Sequence, residues 1–349
     1  MSVSKQPSQT VLKELGLTQA KLTRFESGII NDSWRADKPN QETLVLQRVN
    51  PIFPATINND IYAVTQHLQK KGMLTPRLVR TPKGELWLEE NNNLWRVQTF
   101  IPGITRDVLE KPSQAEEAGA FLARFHIALS DFKLPFSSPR IGVHDTQKHL
   151  DALKIALIQH KAHPRYSDIE PLGRKILEIA SALPKLPACA NRMVHGDPKI
   201  SNFIFDAVTD QAMCLIDLDT ITTMPIILEL GDAIRSWCNI KGEENPNAFL
   251  SMPFLQSSMT GYAREAKDFL IEKEWRALPA AILTITVELA ARFAADALME
   301  NYFSWDPSRY ATASEHNQLR AQSQIRLAQS IQTQWNSIQN VIWSSATLI

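Results

Sequence analysis

The sequence predicts an α+β chain of two lobes, a small antiparallel-sheet lobe over residues 1–101 and a large, mainly helical lobe over 102–349. Strand-like runs crowd into residues 20–100 with one helix among them. From Ser113 onward the periodicity is helical, and a single strand–turn–strand hairpin at 203–216 interrupts it.

In the first lobe, residues 43–49, 84–89 and 94–100 read as strands, with turns at Pro82-Lys83-Gly84 and Asn91-Asn92-Asn93. Between them, Ile61, Val64 and Leu68 recur at helical spacing in 57–71, and Gly72 ends that helix. Ile101-Pro102-Gly103 breaks the pattern and is the expected hinge. In the second lobe, Ser113 and Glu116 spell a capping box ahead of Phe121, Leu122 and Phe125. Further helices are expected over 147–160, 170–183, 231–238, 262–274, 277–300 and 315–342, and loops over 130–139 and 241–247.

Composition narrows the function classes. The 349 residues exceed one ordinary core, and 37 Lys+Arg balance 37 Asp+Glu, so nothing recommends a nucleic acid or an anionic membrane as partner. Cys189, Cys214 and Cys238 lack metal-type spacing and read as buried free thiols in a reducing compartment. The polar start has no signal-peptide core. The apolar run 277–298 contains Pro279, Glu288, Arg292 and Asp296, which favours a buried core helix over a membrane span. A cytoplasmic protein is expected. The chain has no Gly-x-Gly and no Gly-Lys-Ser/Thr, which argues against a dinucleotide fold or a Walker-type site.

Residues 193–219 concentrate the chemistry. His195-Gly196-Asp197 is followed by Asn202, an apolar run at 203–205, a polar turn at 206–210, a second apolar run at 213–216 and then Asp217. Phosphoryl transfer asks a protein to align two oxygens and to neutralise charge on the phosphate. Asp197 can accept a hydrogen bond from an attacking hydroxyl and take its proton. Mg2+ prefers oxygen ligands and is held by one or two protein groups, which the Asn202 amide oxygen and the Asp217 carboxylate suit. Folding the hairpin back carries Asp217 toward Asn202. Asp and Asn also cap turns, but the spacing combined with the hairpin favours the chemistry.

On these residues the chain resembles the aminoglycoside phosphotransferase and choline kinase superfamily, whose motif is HGDxxxxN followed by IDxD or a relative. Segments 26–37, 44–54, 144–153, 216–220, 231–235, 288–298 and 316–331 are more similar to its N-acetylhexosamine 1-kinase group. The resemblance implies a protein-kinase-like bilobal fold, ATP and Mg2+ as cofactors, and a small-molecule acceptor, in that group the anomeric hydroxyl of a sugar. It casts Asp197 as base, Asn202 and Asp217 as metal ligands, and His195 and Asp232 as braces of the loop. Aminoglycoside, choline or homoserine-type acceptors are the alternatives, as is an inactive nucleotide-binding pseudokinase.

The same resemblance places Ser27, Gly28 and Asn31 in a hairpin over the nucleotide phosphates, although an ordinary turn has the same chemistry. Gln47 stands where this fold normally carries a strand lysine, and no glutamate in the following helix offers that lysine's usual partner. Backbone groups around Thr99 and Phe100 would meet the adenine. Asp232 is equally a carboxylate at a helix N-terminus. Glu288, Arg292 and Asp296 share a helix face, as an ion-pair ladder or as a wall of the acceptor site. Resemblance tilts Arg292 toward substrate. His144 and Asp145 line the acceptor pocket or cap a helix, and Tyr302, Phe303 and Trp305 stack on a sugar or pack the core.

Overall fold

A computed structural model describes residues 6–25, 31–138 and 142–347. Helix α1 (Gln9–Glu14), capped by the Ser8 hydroxyl, leads into strands β1 (Lys21–Arg24), β2 (Asp32–Asp37) and β3 (Leu44–Val49). Helix α2 (Ile57–Lys70) and strands β4 (Leu78–Val79), β5 (Leu88–Glu90) and β6 (Asn93–Thr99) follow. The sheet is antiparallel throughout, in the order β1-β2-β3-β6-β4, with β5 also on β6. β5 is shorter than the expected 84–89 because the chain closes a turn first, with the Thr81 N–H bonded to the Glu85 carbonyl at 2.8 Å.

Side chains alternate across a strand, so this sheet has two unlike faces. Trp34, Ala36, Leu46, Trp95 and Val97 pack against Val11, Leu12, Leu15 and Leu17 from α1 and the turn after it. Each large side chain buried there stabilises the lobe by about 1.5–3 kcal/mol. Gln47 and Arg96, opposite one another in register, occupy the other face and look toward α2 and the second lobe.

β6 ends at Thr99, and Ile104 then exchanges two backbone hydrogen bonds with Phe205, at 2.9 and 2.8 Å. Gly103 makes that crossing possible. Its φ is +149°, and a Cβ there would lie 2.4 Å from Ile204 and 2.7 Å from the Phe205 carbonyl.

Helices α3 (Pro112–Ala128), α4 (Thr146–Gln159) and α5 (Tyr166–Ser181) open the second lobe. The α3 cap is not the expected Ser113/Glu116 box. The helix starts at Pro112, and the Gln114 side chain accepts from the Glu110 and Lys111 N–H groups at 2.9 and 3.2 Å. Strands β7 (Asn191–Val194), β8 (Phe203–Phe205), β9 (Ala212–Leu215) and β10 (Thr222–Pro225) form two ribbons, β8 with β9 and β7 with β10.

Helices α6 (Ile226–Trp237), α7 (Met252–Ala266), α8 (Glu272–Met299), α9 (Ala313–Thr333) and α10 (Trp335–Thr347) complete the lobe. The expected helix 262–274 is in fact α7 and the start of α8. Glu274 belongs to the latter, where its carboxylate accepts from the Ile271 N–H at 3.0 Å. The expected 315–342 helix breaks at Gln334, whose amide donates to the Leu250 carbonyl and the Ser330 hydroxyl. Among the described residues α8 is the helix long and apolar enough to cross a membrane, and it is largely buried among α4, α5, α6, α9 and α10. Cys214 and Cys238 are buried free thiols, and Cys189 is half-buried.

Candidate active site

The loop after β7 presents the Asp197 carboxylate, and a short turn at Ile200–Asn202 leads into β8. β9 runs back beside β8, and the Ile216 N–H bonds the Asn202 carbonyl at 2.9 Å. The expected convergence of Asp197, Asn202 and Asp217 is therefore present as geometry. Asn202 Nδ2 donates to the Asp197 carbonyl at 2.8 Å and to Asp197 Oδ2 at 3.3 Å. With its nitrogen so committed, the Asn202 side-chain oxygen is the atom left to face a cation. Asp217 has φ +62°, the left-handed conformation that Asp tolerates better than most residues.

The loop is held mainly through its backbone. Glu229, on the first turn of α6, accepts from the N–H groups of His195 at 2.8 Å and Gly196 at 2.9 Å. The Thr220 hydroxyl donates to the His195 carbonyl at 2.9 Å, and the Trp237 indole donates to the Pro198 carbonyl at 2.8 Å. His195 Nε2 donates to the Ile216 carbonyl at 2.8 Å while Nδ1 accepts from the Asp197 N–H at 3.3 Å, which defines the tautomer. Gly196 is required because a Cβ at its φ of +84° would sit 2.2 Å from the Thr220 carbonyl. His195 thus ties the loop to the end of the hairpin. Asp232 does not hold the loop. Its carboxylate accepts from Arg235 at 2.9 Å, and the carboxylate bonded to the loop's N–H groups is that of Glu229, one helical turn earlier.

Lys199, which the motif analysis passed over, bonds Asp197 Oδ2 at 2.7 Å. Burial pushes the Asp197 carboxyl upward, but Lys199 outweighs it and holds the group below the usual carboxylate range. Asp217 moves the other way. Burial and then the neighbouring Asp219 push its carboxyl up to about 6. A half-buried carboxylate beside a second carboxylate and an amide oxygen is a donor set that fits a hard divalent cation.

Ser27 and Gly28 lie outside the described residues. Asn31 is buried against the second lobe, donating to Asp219 Oδ2 at 2.7 Å and accepting from the Asn50 N–H at 2.9 Å. Gln47 donates to the Ser33 hydroxyl at 3.0 Å and accepts from Arg96 Nε at 2.8 Å. The N–H groups of Thr99 and Phe100 are already bonded to the Arg77 and Thr43 carbonyls, because the strand ladder continues through them. The first N–H beyond the ladder belongs to Ile101. Arg96 and Asp219 form a buried bidentate pair, at 2.6 and 2.8 Å, that motif reading missed. The available signal was a lone arginine between the apolar residues Trp95 and Val97, opposite Gln47.

On the acceptor side, the Glu288/Arg292/Asp296 face is not an ion-pair ladder, since each charge finds partners off its own helix. Glu288 accepts from His144 Nδ1 at 2.9 Å and from the Thr146 hydroxyl at 2.7 Å. Asp296 accepts from the N–H groups of Asn301, Tyr302 and Phe303 at 2.8–3.0 Å, which sets the loop after α8. Arg292 then lies over both aromatic rings, 5.6 Å from Tyr302 and 5.5 Å from Phe303. His144 is 5% exposed, and its Nε2 has no protein partner. It feels the charges of both Asp232 and Arg292. Asp145 is exposed and caps α4, accepting from the Lys148 N–H at 3.0 Å, so it does not line this pocket.

Residues 21–266 match the model of the phosphotransferase enzyme family, APH. Among solved structures the chain is similar to amicoumacin kinase hAmiN in complex with AMP-PNP, Ca2+ and Ami, with a TM-score of 0.61, 14% identity, and 90% of this chain and 93% of that one covered. It is similar to a microcompartment-associated aminopropanol kinase (TM-score 0.62, 15% identity, 95% and 97% covered). It is also similar to a choline kinase from Cryptosporidium parvum Iowa II (TM-score 0.58, 13% identity, 95% and 94% covered). At such identities the likeness establishes the kinase-like fold, an antiparallel sheet lobe followed by a mainly helical one. The family model spans more than two thirds of the sequence and includes the whole 195–217 hairpin region, so the chain belongs to the phosphotransferase enzyme family.

Proposed function

We propose that the protein is an ATP- and Mg2+-dependent small-molecule kinase whose acceptor is a sugar hydroxyl, with the anomeric hydroxyl of an N-acetylhexosamine as first candidate. One observation carries the reading: Asp197, Lys199, Asn202 and Asp217 are gathered on one braced loop and its hairpin. Relatives of this fold hold AMP-PNP with Ca2+, and ADP with hygromycin B.

In this reading Asp197 stays ionised beside Lys199, accepts the hydrogen bond of the acceptor hydroxyl and takes its proton as the phosphoryl group transfers. Asn202 keeps Asp197 oriented through its amide nitrogen and offers its oxygen, with Asp217, to the cation. A bound Mg2+ supplies charge neutralisation on the triphosphate. Glu229 and His195 brace the loop so that Asp197 is positioned before substrate arrives.

The sugar preference is supported by how charge is used on the acceptor side. Asp232 and Glu243 are both committed to Arg235, and Glu288 to His144 and Thr146. No carboxylate of that set is left over for a polycationic aminoglycoside or a quaternary amine. A neutral, hydroxyl-rich ligand suits Arg292, His144 Nε2 and the Tyr302/Phe303 rings. The test is phosphate transfer from ATP across N-acetylhexosamines, other sugars, aminoglycosides, choline and homoserine, with product NMR to locate the ester. Transfer confined to amine acceptors would overturn the sugar assignment. ATP binding without transfer to any acceptor would favour the pseudokinase alternative.

A further inference from the structure

We infer that Arg96 is a positioning residue, one that sets the metal-facing turn through Asp219. The inference rests on the phosphotransferase reading and deepens it. Five polar side chains meet at this point. Arg96 donates through Nε to Gln47 at 2.8 Å, through one terminal nitrogen to Asn58 at 3.3 Å and Asp219 at 2.6 Å, and through the other to Asp219 at 2.8 Å. Asn31 adds a further donor to Asp219. Both members of the ion pair are 1% exposed.

A charge pair this deep persists only when its hydrogen-bonding capacity is nearly filled, and here it is. The arrangement also has a direction. Arg96 of β6 and Asn31, which leads into β2, bond one carboxylate of the second lobe, and Gln47 of β3 and Asn58 of α2 hold the arginine. Asp219 lies on the tight Leu218–Thr220 turn, two residues after Asp217. Asp217 is held in a left-handed backbone at the start of that turn, so any displacement of Asp219 is transmitted to it with little slack. Gln47 has a defined part in this arrangement. An amide can accept from Arg96 Nε, whereas a lysine there would set a second cation against the guanidinium. Asn58 of α2 and Asp219 complete the arginine's partners.

The test compares wild type with the double variant Arg96→Met/Asp219→Asn, which removes both charges together and leaves neither one buried alone. Equilibrium binding of Mn2+·ADP and of metal-free ADP is measured, together with amide hydrogen exchange of residues 217–220 in the metal-free protein. The expected result is at least a tenfold loss of Mn2+·ADP affinity, a change below twofold for ADP alone, and faster exchange in the turn. Arg96→Lys keeps the charge but loses the fork, and should fall between the two. If the double variant does not fold, Asn31→Ala and Asn58→Ala each remove one neutral partner, and the same metal-selective loss is expected at about threefold. Wild-type Mn2+·ADP affinity in folded variants overturns the inference, as does an equal loss with and without Mn2+. A wild-type protein that binds no Mn2+·ADP overturns the phosphotransferase reading as well.

Discussion

The loop that carries Asp197 and the flank that carries His144 and Arg292 are built in opposite ways. The loop is held by bonds to its backbone, from Glu229, Thr220 and Trp237, all within about forty residues of it. On the flank, His144 and Thr146 meet Glu288 side chain to side chain across more than 140 positions, while Arg292 meets Tyr302 and Phe303 on the loop that Asp296 sets. A backbone-braced loop tolerates little change in position, so its residue types and spacings are narrowly constrained. A side-chain-assembled wall can be built many ways, and its residue pattern says correspondingly less about its ligand.

Five substitutions would break or sharpen that contrast. Asp197→Asn should lower kcat by about 10^2–10^4-fold, the range for loss of a general base, with nucleotide affinity nearly unchanged. A variant with near-normal turnover would remove Asp197 as base.

Asp217→Asn should stabilise the metal-free protein. The Asp217 carboxyl titrates at about 6 in the fold against 3.8 in the unfolded chain, so the ionised group is a native-state burden. Stability therefore falls as pH rises from about 4 to about 6, and the variant's advantage, at most about 3 kcal/mol, is full above that window and absent below it. Thermal midpoints from pH 4 to 8 without metal check the sign, and added Mg2+ should raise the wild-type midpoint more than the variant's.

Glu229→Gln leaves one of the two loop N–H groups without its acceptor. A cost of about 1–3 kcal/mol and a roughly tenfold fall in kcat are expected. Asp232→Asn should leave kcat within about threefold, because its partner is Arg235 and not the loop. The reverse ranking would restore Asp232 as the brace. His144→Ala should raise the acceptor KM roughly fivefold at constant KM for ATP, the size of one hydrogen bond lost. If only the nucleotide KM moved, the flank would belong to the wrong substrate.

The legibility of the chain follows the same division. The hairpin 203–216, its convergence on Asn202 and the strand-rich first lobe were readable, because short-range periodicity and turn residues encode them. Lys199 sat inside the quoted motif, and Glu229 one turn from the residue taken as the brace. Glu229 escapes because choosing between nearby carboxylates depends on helix phase, and α6 starts five residues before the expected 231; Lys199 escapes because its contact with Asp197 depends on how the loop folds. Arg96 and Asp219 are 123 residues apart, and no local pattern announces their pairing.

From residue order alone came the reaction chemistry: a carboxylate, an amide and a second carboxylate at spacings that a loop and a hairpin bring to one point. Which neighbours tune those groups emerged only on folding. Lys199 lowers one carboxyl, Asp219 raises another, and Arg96 reaches across from the sheet. The reason is physical. Hydrogen-bonding type is a property of each side chain, whereas burial and the distance between charges are properties of the packed chain, and electrostatic effects depend on both.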